Sequence, residues 1–265
     1  MLFNNVERYS YSEVRLWILA LEPATAGCLS ARRVAQHMTL NFSPTHPSQV
    51  LCAETWSRAL TLNPSVISDI LHRRGLHRHV MRFEIQALDS SMRLCGIATT
   101  ISSRPVVDAP QPGREYELLF SAIDGLRAGE ILVTDRMDCC VWGELCSEAA
   151  IRRGSNGAVI DGFTRDSADI RNIGFPLFCR GRHMSDLLYH RQITAIGEPV
   201  ICGDVAVHPG DLILGAEDGA LVVPAALIEE VVVEGFEKAQ AESKVRVALR
   251  QGMSAGDAYR QFGVM

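Results

Sequence analysis

The chain has 265 residues, 47% of them hydrophobic, and is long enough to bury a substantial core without disulfides or structural metals. Its 26 basic and 31 acidic side chains give a formal charge of −5, which argues against a nucleic-acid or membrane-surface partner. Apolar runs stay well short of the roughly 20 residues that a membrane span requires. The eight cysteines lack a CxxC pair, so we expect free thiols in a reducing, cytoplasmic compartment.

The chain is predicted to divide into an N-terminal extension of unknown role, residues 1–57, and one α/β domain, residues 58–265. Asn63 and Pro64 supply an N-cap and a first-turn proline for a helix that ends at Gly75. Short apolar strands and amphipathic helices then alternate, an order that implies parallel strands covered by helices. The strands are expected at 94–101, 130–135, 157–161 and 176–179, and the helices at 115–126, 141–153 and 166–173.

After Gly181 the pattern becomes β-rich. Strands are expected at 193–201, 204–207, 211–214 and 220–223, separated by turn sequences such as His-Pro-Gly-Asp. A long helix at 225–250 and a short one at 254–262 end the chain. A helix of that length with few capping signals commonly packs on a neighbour, so we expect an oligomer.

Candidate catalytic residues follow the predicted strand at 157–161. In open α/β sheets, ligands bind beyond the carboxyl ends of the strands, which is where Arg165 and Asp166 fall. The Asp166 carboxylate is a hard oxygen ligand suited to Mg²⁺ or Mn²⁺, and the Arg165 guanidinium suits a carboxylate or a developing oxyanion. Asp169, three residues further along the same helical face, can hold a metal-bound water or orient Arg165.

Plainer interpretations stay open at these positions. Arg165 and Asp169 have the spacing of a surface helical ion pair, and Asp166 that of an ordinary helix-start residue. Cys139 and Cys140 could act as nucleophiles only if their pKa were depressed. The basic cluster at 72–79 is explained by its place at a helix C-terminus, and His183 and His190 by solvent-facing loops.

Several motifs together resemble one known family. They are Trp-Gly-Glu-Leu at 142–145, Gly-Ala-Val-Ile-Asp-Gly at 157–162, Arg-Asp-x-x-Asp at 165–169, Gly-Phe-Pro-Leu-Phe at 174–178, Val-His-Pro-Gly-Asp at 207–211 and Asp-Gly-Ala-Leu-Val-Val-Pro at 218–224. From about residue 58 to 265, the chain is similar to the 4-hydroxy-4-methyl-2-oxoglutarate/4-carboxy-4-hydroxy-2-oxoadipate aldolases. The regulator of ribonuclease E activity A belongs to the same family.

This resemblance implies a swivelling β/β/α domain, with a parallel βαβ half, a β-rich layer and a long C-terminal helix. It implies homotrimers or homohexamers with sites at subunit interfaces. It also implies a class II aldolase or decarboxylase that uses Mg²⁺ or Mn²⁺ to cleave a C–C bond next to the pyruvoyl group of a small 2-oxo acid. Retro-aldol cleavage and oxaloacetate decarboxylation would share a metal-bound enolate on the way to pyruvate.

The resemblance also assigns roles by position. Asp166 would bind the metal, Arg165 would stabilise the enolate oxygen, and Glu144 would be an acidic residue behind the metal ligands. Glu242 would reach into a neighbouring subunit's site. The substrate carboxylate would bind at the helix start formed by Gly143, Glu144 and Leu145.

One departure leaves the substrate open. Aldolases of the family carry a lysine for the distal substrate carboxylate before the β-rich layer, whereas this chain has His190 and Arg191 there. Either residue could substitute. Two alternatives therefore stand beside the aldolase hypothesis: a related lyase for a different hydroxy acid, and a non-catalytic protein that regulates a nuclease by binding it.

Overall fold

The computed structural model of the protein describes residues 51–107 and 113–264, so most of the predicted N-terminal extension lies outside the described residues. Eleven strands occur in the described ranges. They are β1 (Gln86–Ala87), β2 (Leu94–Pro105), β3 (Glu130–Thr134), β4 (Cys140–Trp142), β5 (Gly157–Thr164), β6 (Leu177–Arg182), β7 (Arg191–Ile196), β8 (Val200–Cys202), β9 (Val205–Val207), β10 (Leu212–Ala216) and β11 (Gly219–Val223).

Seven α-helices accompany these strands within the same ranges. They are α1 (Ala53–Thr61), α2 (Pro64–Arg73), α3 (Glu117–Gly125), α4 (Glu144–Arg152), α5 (Ser167–Ile173), α6 (Ile228–Arg250) and α7 (Ala255–Phe262). Asn63 caps α2 through its side chain, as predicted, and α1 begins five residues ahead of the predicted boundary at residue 58. None of the described helices combines the length and apolar character needed to cross a membrane.

Nine strands form one sheet in the order β1-β6-β5-β3-β2-β10-β11, with β4 paired to β5 and β7 paired to β2. Neighbours among β2, β3, β5 and β6 run parallel, which confirms the predicted parallel half. The later strands β7 and β10 join antiparallel to β2. The segment before β1 also pairs with β11, through Met81 N and Ala220 O at 2.9 Å, so the sheet curls into a nearly closed barrel.

Two buried clusters hold these layers together. The larger one fills the barrel and the space beneath α3, α4 and α5, and includes Trp142, Phe175 and Phe178. The second lies between the sheet and helices α1, α2 and α6. There Gly235 of α6 permits close approach to α2, since a Cβ at that position would lie 2.6 Å from Ile67 Cδ1. The long C-terminal helix thus packs on its own chain along its first half.

Two predicted elements were wrong in their bounds. The helix expected at 141–153 begins only at Glu144, because Trp142 lies in strand β4 with its side chain fully buried against Phe175. The strand expected at 193–201 is divided into β7 and β8. Gly197, which lies between the two strands, has a φ of +80°, a left-handed conformation incompatible with a continuous strand.

Candidate functional site

The candidate site lies where two neighbouring parallel strands turn into helices. Strand β5 leads through Arg165 and Asp166 into α5, and β4 leads through Gly143 into α4. The two turns are adjacent because β4 pairs with the end of β5. Thr164 Oγ1 and Arg165 N both donate hydrogen bonds to the carbonyl of Trp142, at 2.9 and 3.2 Å. The predicted residues at 143–145 and 165–166 are therefore brought together.

Asp166 has an unusual backbone conformation. It occupies the N-cap position of α5 with a φ of +56° and a ψ of +32°, and its side chain makes no capping hydrogen bond. Left-handed conformations are uncommon for residues other than glycine and concentrate at functional sites. The carboxylate turns toward the start of α4, where Asp166 Oδ2 lies 3.4 Å from Glu144 N. Oδ2 thus accepts a long hydrogen bond from Glu144 N, whereas Oδ1 accepts none within the described residues and is available to another partner.

Arg165 lies between two carboxylates. Its Nη1 is 3.0 Å from Asp186 Oδ2, and its Nε is 3.9 Å from Asp166 Oδ2. The side chains of Arg165 and Asp166 are 44% and 46% exposed, so both can reach a ligand from solvent. The alternative helical pair with Asp169 does not occur among the ion pairs of the described residues; Asp169 is exposed in the first turn of α5.

Asp186 is a site residue that the sequence did not single out. Its Oδ1 accepts hydrogen bonds from Tyr116 Oη at 2.7 Å and from Leu188 N at 2.9 Å, while Oδ2 faces Arg165. Burial, together with the bond to Asp186, raises the pKa of Tyr116 to about 12, so its hydroxyl remains a donor. An aspartate that caps a short helix is visible in the sequence, but its pairing with Arg165 depends on tertiary structure.

The donor atoms of the site are compatible with a divalent ion that takes few protein ligands. The described residues contain no group of three or more His, Cys, Asp or Glu side chains that could hold a metal ion together. Mg²⁺ characteristically uses one or two carboxylates and retains several waters. Asp166 offers such a carboxylate, and the missing side chain of Gly143 leaves space beside it, since a Cβ there would lie 2.8 Å from Asp166 Oδ2. Glu144, half-buried at the first position of α4, is a further acid at this helix start, and its backbone N contacts Asp166 Oδ2.

Three other predicted site residues have partners elsewhere in the chain. His190 Nε2 lies 2.7 Å from Ser185 Oγ, next to Asp186 in sequence. Arg191 donates to Ser103 and lies 3.6 Å from Asp135, whose pKa is raised by burial. Glu242 lies on α6 and accepts from Lys238 at 2.8 Å.

Cys139 and Cys140 are buried, and burial raises the pKa of both thiols, that of Cys139 to about 11. This environment disfavours the thiolate that a nucleophile requires. Five of the other cysteines are also described, and all seven are free thiols.

Asp161, the last residue of the strand predicted at 157–161, is buried within β5. Its Oδ2 accepts from Gly203 N at 2.8 Å, and its Oδ1 lies 3.2 Å from Arg180 Nε.

Fold and site together define an α/β protein with a solvent-open polar site at the carboxyl ends of two adjacent strands. The chain belongs to the RraA-like family, whose Aldolase/RraA model matches residues 65–222. The resemblance noted from the motifs is thereby confirmed. The predicted fold class is confirmed too, because solved structures of this family share the fold. RraAS2 of Streptomyces coelicolor, described as an unusual member of the RNase ES inhibitor RraA protein family, is 27% identical, with a TM-score of 0.64 over 73% of this chain and 96% of that one.

Two curated relatives show how similarity is distributed along the chain. Protein DlpA of Legionella pneumophila is 27% identical over 241 residues, which are 88% of this chain but 38% of DlpA. The aligned share of this chain is larger than the predicted domain at residues 58–265, so the similarity extends into the predicted N-terminal extension. A Halalkalibacterium halodurans protein named "Putative 4-hydroxy-4-methyl-2-oxoglutarate aldolase" is 35% identical over 44% of this chain and 57% of its own length. The chain thus spans less than two thirds of either relative.

Proposed function

We propose that this protein is a divalent-metal-dependent lyase that cleaves a C–C bond next to the pyruvoyl group of a small 2-oxo acid. The observation that carries the proposal is the juxtaposition of Asp166 and Arg165 with the start of α4. Asp166 is held in a left-handed conformation and its carboxylate is not used as a helix cap. The relative named as an aldolase, and membership of the Aldolase/RraA family, point to the same chemistry.

The proposed roles follow from the chemistry of each group. Asp166 would hold Mg²⁺ or Mn²⁺, which when bound supplies a Lewis acid that draws electrons from the 2-oxo group. Backbone N–H groups at the start of α4 would bind the substrate carboxylate at the positive end of the helix dipole: that of Leu145, and that of Glu144 in exchange for its long bond to Asp166 Oδ2. The Arg165 guanidinium would stabilise the negative charge that develops on the 2-oxo oxygen as the bond breaks.

Retro-aldol cleavage additionally needs a base. The 4-hydroxyl proton leaves, its electron pair forms the carbonyl of one product, and the electrons of the broken C–C bond move onto the pyruvoyl fragment, which is then protonated to pyruvate. We assign the base to a water held by a carboxylate, with half-buried Glu144 and exposed Asp169 as the candidate residues. Decarboxylation of oxaloacetate needs no such base, so the two reactions should respond differently to substitutions of Glu144 and Asp169.

The test is pyruvate release from oxaloacetate and from 4-hydroxy-4-methyl-2-oxoglutarate, with Mg²⁺ or with EDTA, after subtraction of the metal-catalysed background. We expect turnover that EDTA and Asp166→Asn abolish, while Asp124→Asn, a surface carboxylate on α3, retains it. Absence of turnover above background on both substrates, in folded protein, would overturn the aldolase proposal for these substrates.

A second candidate function is regulation of a nuclease by binding. The structural similarity to RraAS2, described as a member of an RNase ES inhibitor family, favours it. The same samples distinguish the two functions when binding to the nuclease is measured as well. A binding regulator would bind equally well with and without Asp166→Asn, and it would show no metal-dependent turnover.

A further inference from the structure

Three residues from separate parts of the chain form a continuous line of contacts that ends in the candidate site. Tyr116 immediately precedes α3, Asp186 immediately precedes the short 3₁₀ helix Leu187–Tyr189, and Arg165 follows β5. Tyr116 Oη donates to Asp186 Oδ1 at 2.7 Å, and Asp186 Oδ2 lies 3.0 Å from Arg165 Nη1. One carboxylate therefore connects a tyrosine hydroxyl to the guanidinium.

The backbone around Asp186 is fixed in place. Cys140 N donates to Ser185 O at 2.7 Å, and Cys140 forms an isolated parallel bridge with Asp186, which ties this segment to strand β4. Leu188 N donates to Asp186 Oδ1 at 2.9 Å. Two donors on Oδ1 leave Oδ2 to face the arginine, so the carboxylate has little freedom to rotate.

Tyr116 is fixed from the other side. Its ring packs against the main hydrophobic cluster and lies 5.5 Å, between centroids, from the ring of Phe120. The hydroxyl is thus presented to Asp186 by an anchored ring, and its raised pKa keeps the proton on it. The other end of the line is open, because the Arg165 side chain is 44% exposed.

We propose that Tyr116 and Asp186 are positioning residues that hold the Arg165 guanidinium beside Asp166. This inference rests on the proposed function, since it assigns Arg165 the developing negative charge. An exposed arginine has many rotamers. The ion pair between Nη1 and Asp186 limits them and orients the planar guanidinium, whose opposite side lies next to Asp166 and is open to a ligand. Asp186 and Tyr116 act through Arg165 and need not touch the substrate.

The kinetic test uses Asp186→Asn and Tyr116→Phe, with Tyr259→Phe on the exposed face of α7 as the matched control. We expect Asp186→Asn to lower kcat by roughly 10- to 100-fold, by analogy with residues that orient metal ligands. Tyr116→Phe keeps the ring and removes one hydrogen bond, so we expect a loss of about 2- to 10-fold. KM should change little in both variants, and Tyr259→Phe should match the wild type.

A second readout separates this inference from the proposed lyase activity. In arginine-labelled protein, the guanidinium NMR signals of Arg165, assigned by their loss in Arg165→Lys, report rotation about the Nε–Cζ bond. We expect slow rotation in the wild type, faster rotation in both test variants and no change in Tyr259→Phe. If the wild type shows no turnover, the lyase proposal fails and the NMR result alone decides the positioning role. Unchanged rotation in both folded variants would overturn it.

Discussion

Gly143 leaves open the space that the Asp166 carboxylate occupies. A Cβ built on Gly143 would lie 2.8 Å from Asp166 Oδ2, closer than real Cβ contacts come. Asp166 is fixed from its own side by a φ of +56°, so its carboxylate can avoid a new methyl group only by rotating away. Gly143 itself has a φ of −136°, which any residue adopts, so its backbone does not require glycine. The requirement for glycine comes from the neighbouring carboxylate.

We therefore expect Gly143→Ala to impair the site and spare the fold. The displaced carboxylate should weaken activation by Mg²⁺ by roughly 10- to 100-fold, as loss of ligand orientation does elsewhere. The unfolding free energy should change by less than about 1 kcal/mol, since a flexible side chain can move aside. The measurement is the Mg²⁺ dependence of pyruvate release, with urea unfolding on the same sample. Gly125→Ala, where a Cβ meets nothing within 4 Å, is the control; equal Mg²⁺ dependence in the two variants would contradict the prediction.

Trp142 and Ser147 should be energetically coupled beneath the site. Both side chains are buried, and Trp142 Nε1 donates to Ser147 Oγ at 2.9 Å. Ser147→Ala leaves a buried N–H without its acceptor, which should cost about 1–3 kcal/mol of unfolding free energy. Adding Trp142→Phe removes the orphaned donor. In a double-mutant cycle by urea denaturation, we expect Ser147→Ala to cost less in the Trp142→Phe background than in the wild type, whereas additive effects would show that the bond contributes little.

His79 should make stability depend on pH. Its ring is buried, Nδ1 bonds to Leu76 O at 2.7 Å, and Nε2 bonds to Ser68 Oγ at 3.0 Å. Burial lowers the pKa of His79, with His72 and His77 adding in the same direction. Below the ordinary histidine pKa of about 6.5, the unfolded chain therefore binds more protons than the folded protein, and stability falls as the pH drops through that value.

The measurement for His79 is the unfolding free energy between pH 8 and pH 5 for the wild type, His79→Gln and His77→Gln. The decline below about pH 6.5 should be less steep in His79→Gln, which cannot take up the proton on unfolding. His77 is exposed and acts on His79 only through its charge, so in the comparison variant His77→Gln the decline should be only slightly less steep than in the wild type. Identical slopes for all three proteins would count against the assignment.

Much of the fold was predictable because its strands are continuous apolar runs bounded by glycines and charges. Strand β3 is buried at all five positions and was predicted almost to the residue. Trp142 illustrates the opposite case. A short apolar segment before a helix fits the helical and the strand periodicity equally well, so the residues of β4 were predicted as the start of the helix. The strand conformation at Trp142 is stabilised by packing on Phe175, which lies 33 residues later in the chain, and the local sequence does not indicate this contact.

The site residues also divide into those with a local sequence signal and those that depend on tertiary contacts. Arg165 and Asp166 were predicted because they follow a strand, which is a local signal. Asp186 and Tyr116 were missed because they reach Arg165 through the pairing of Cys140 with Asp186 and through the packing of α3. Arg191 was predicted to bind substrate because it lies where the family has a substrate-binding lysine. Its contact with Ser103 arises from the pairing of β7 with β2, which the sequence does not indicate.

Asp161 belongs to the motif that marks the family, yet its contacts indicate a role in stability. The carboxylate is buried, accepts from Gly203 N at 2.8 Å, and forms an ion pair at 3.2 Å with Arg180 Nε, a buried nitrogen that has no hydrogen-bond partner within the described residues. Asp161→Asn retains an acceptor for Gly203 and removes the charge opposite Arg180. Arg180 keeps its contacts with Asp138 and with the carbonyl of Met137, so its charge stays partly compensated, and we expect the substitution to cost about 1.5–3 kcal/mol of unfolding free energy.

Asp138 provides a matched control for Asp161, because it pairs with the same arginine at 2.5 Å from a side chain that is 74% exposed. Exposed pairs contribute at most about 1 kcal/mol, so Asp138→Asn should be nearly neutral in urea denaturation. Turnover per folded molecule should survive in both variants, since neither aspartate contacts Arg165 or Asp166 in the described residues. Equal destabilisation by the two substitutions would mean that burial does not distinguish these pairs. A loss of turnover in a stably folded Asp161→Asn variant would show that Asp161 also contributes to the site.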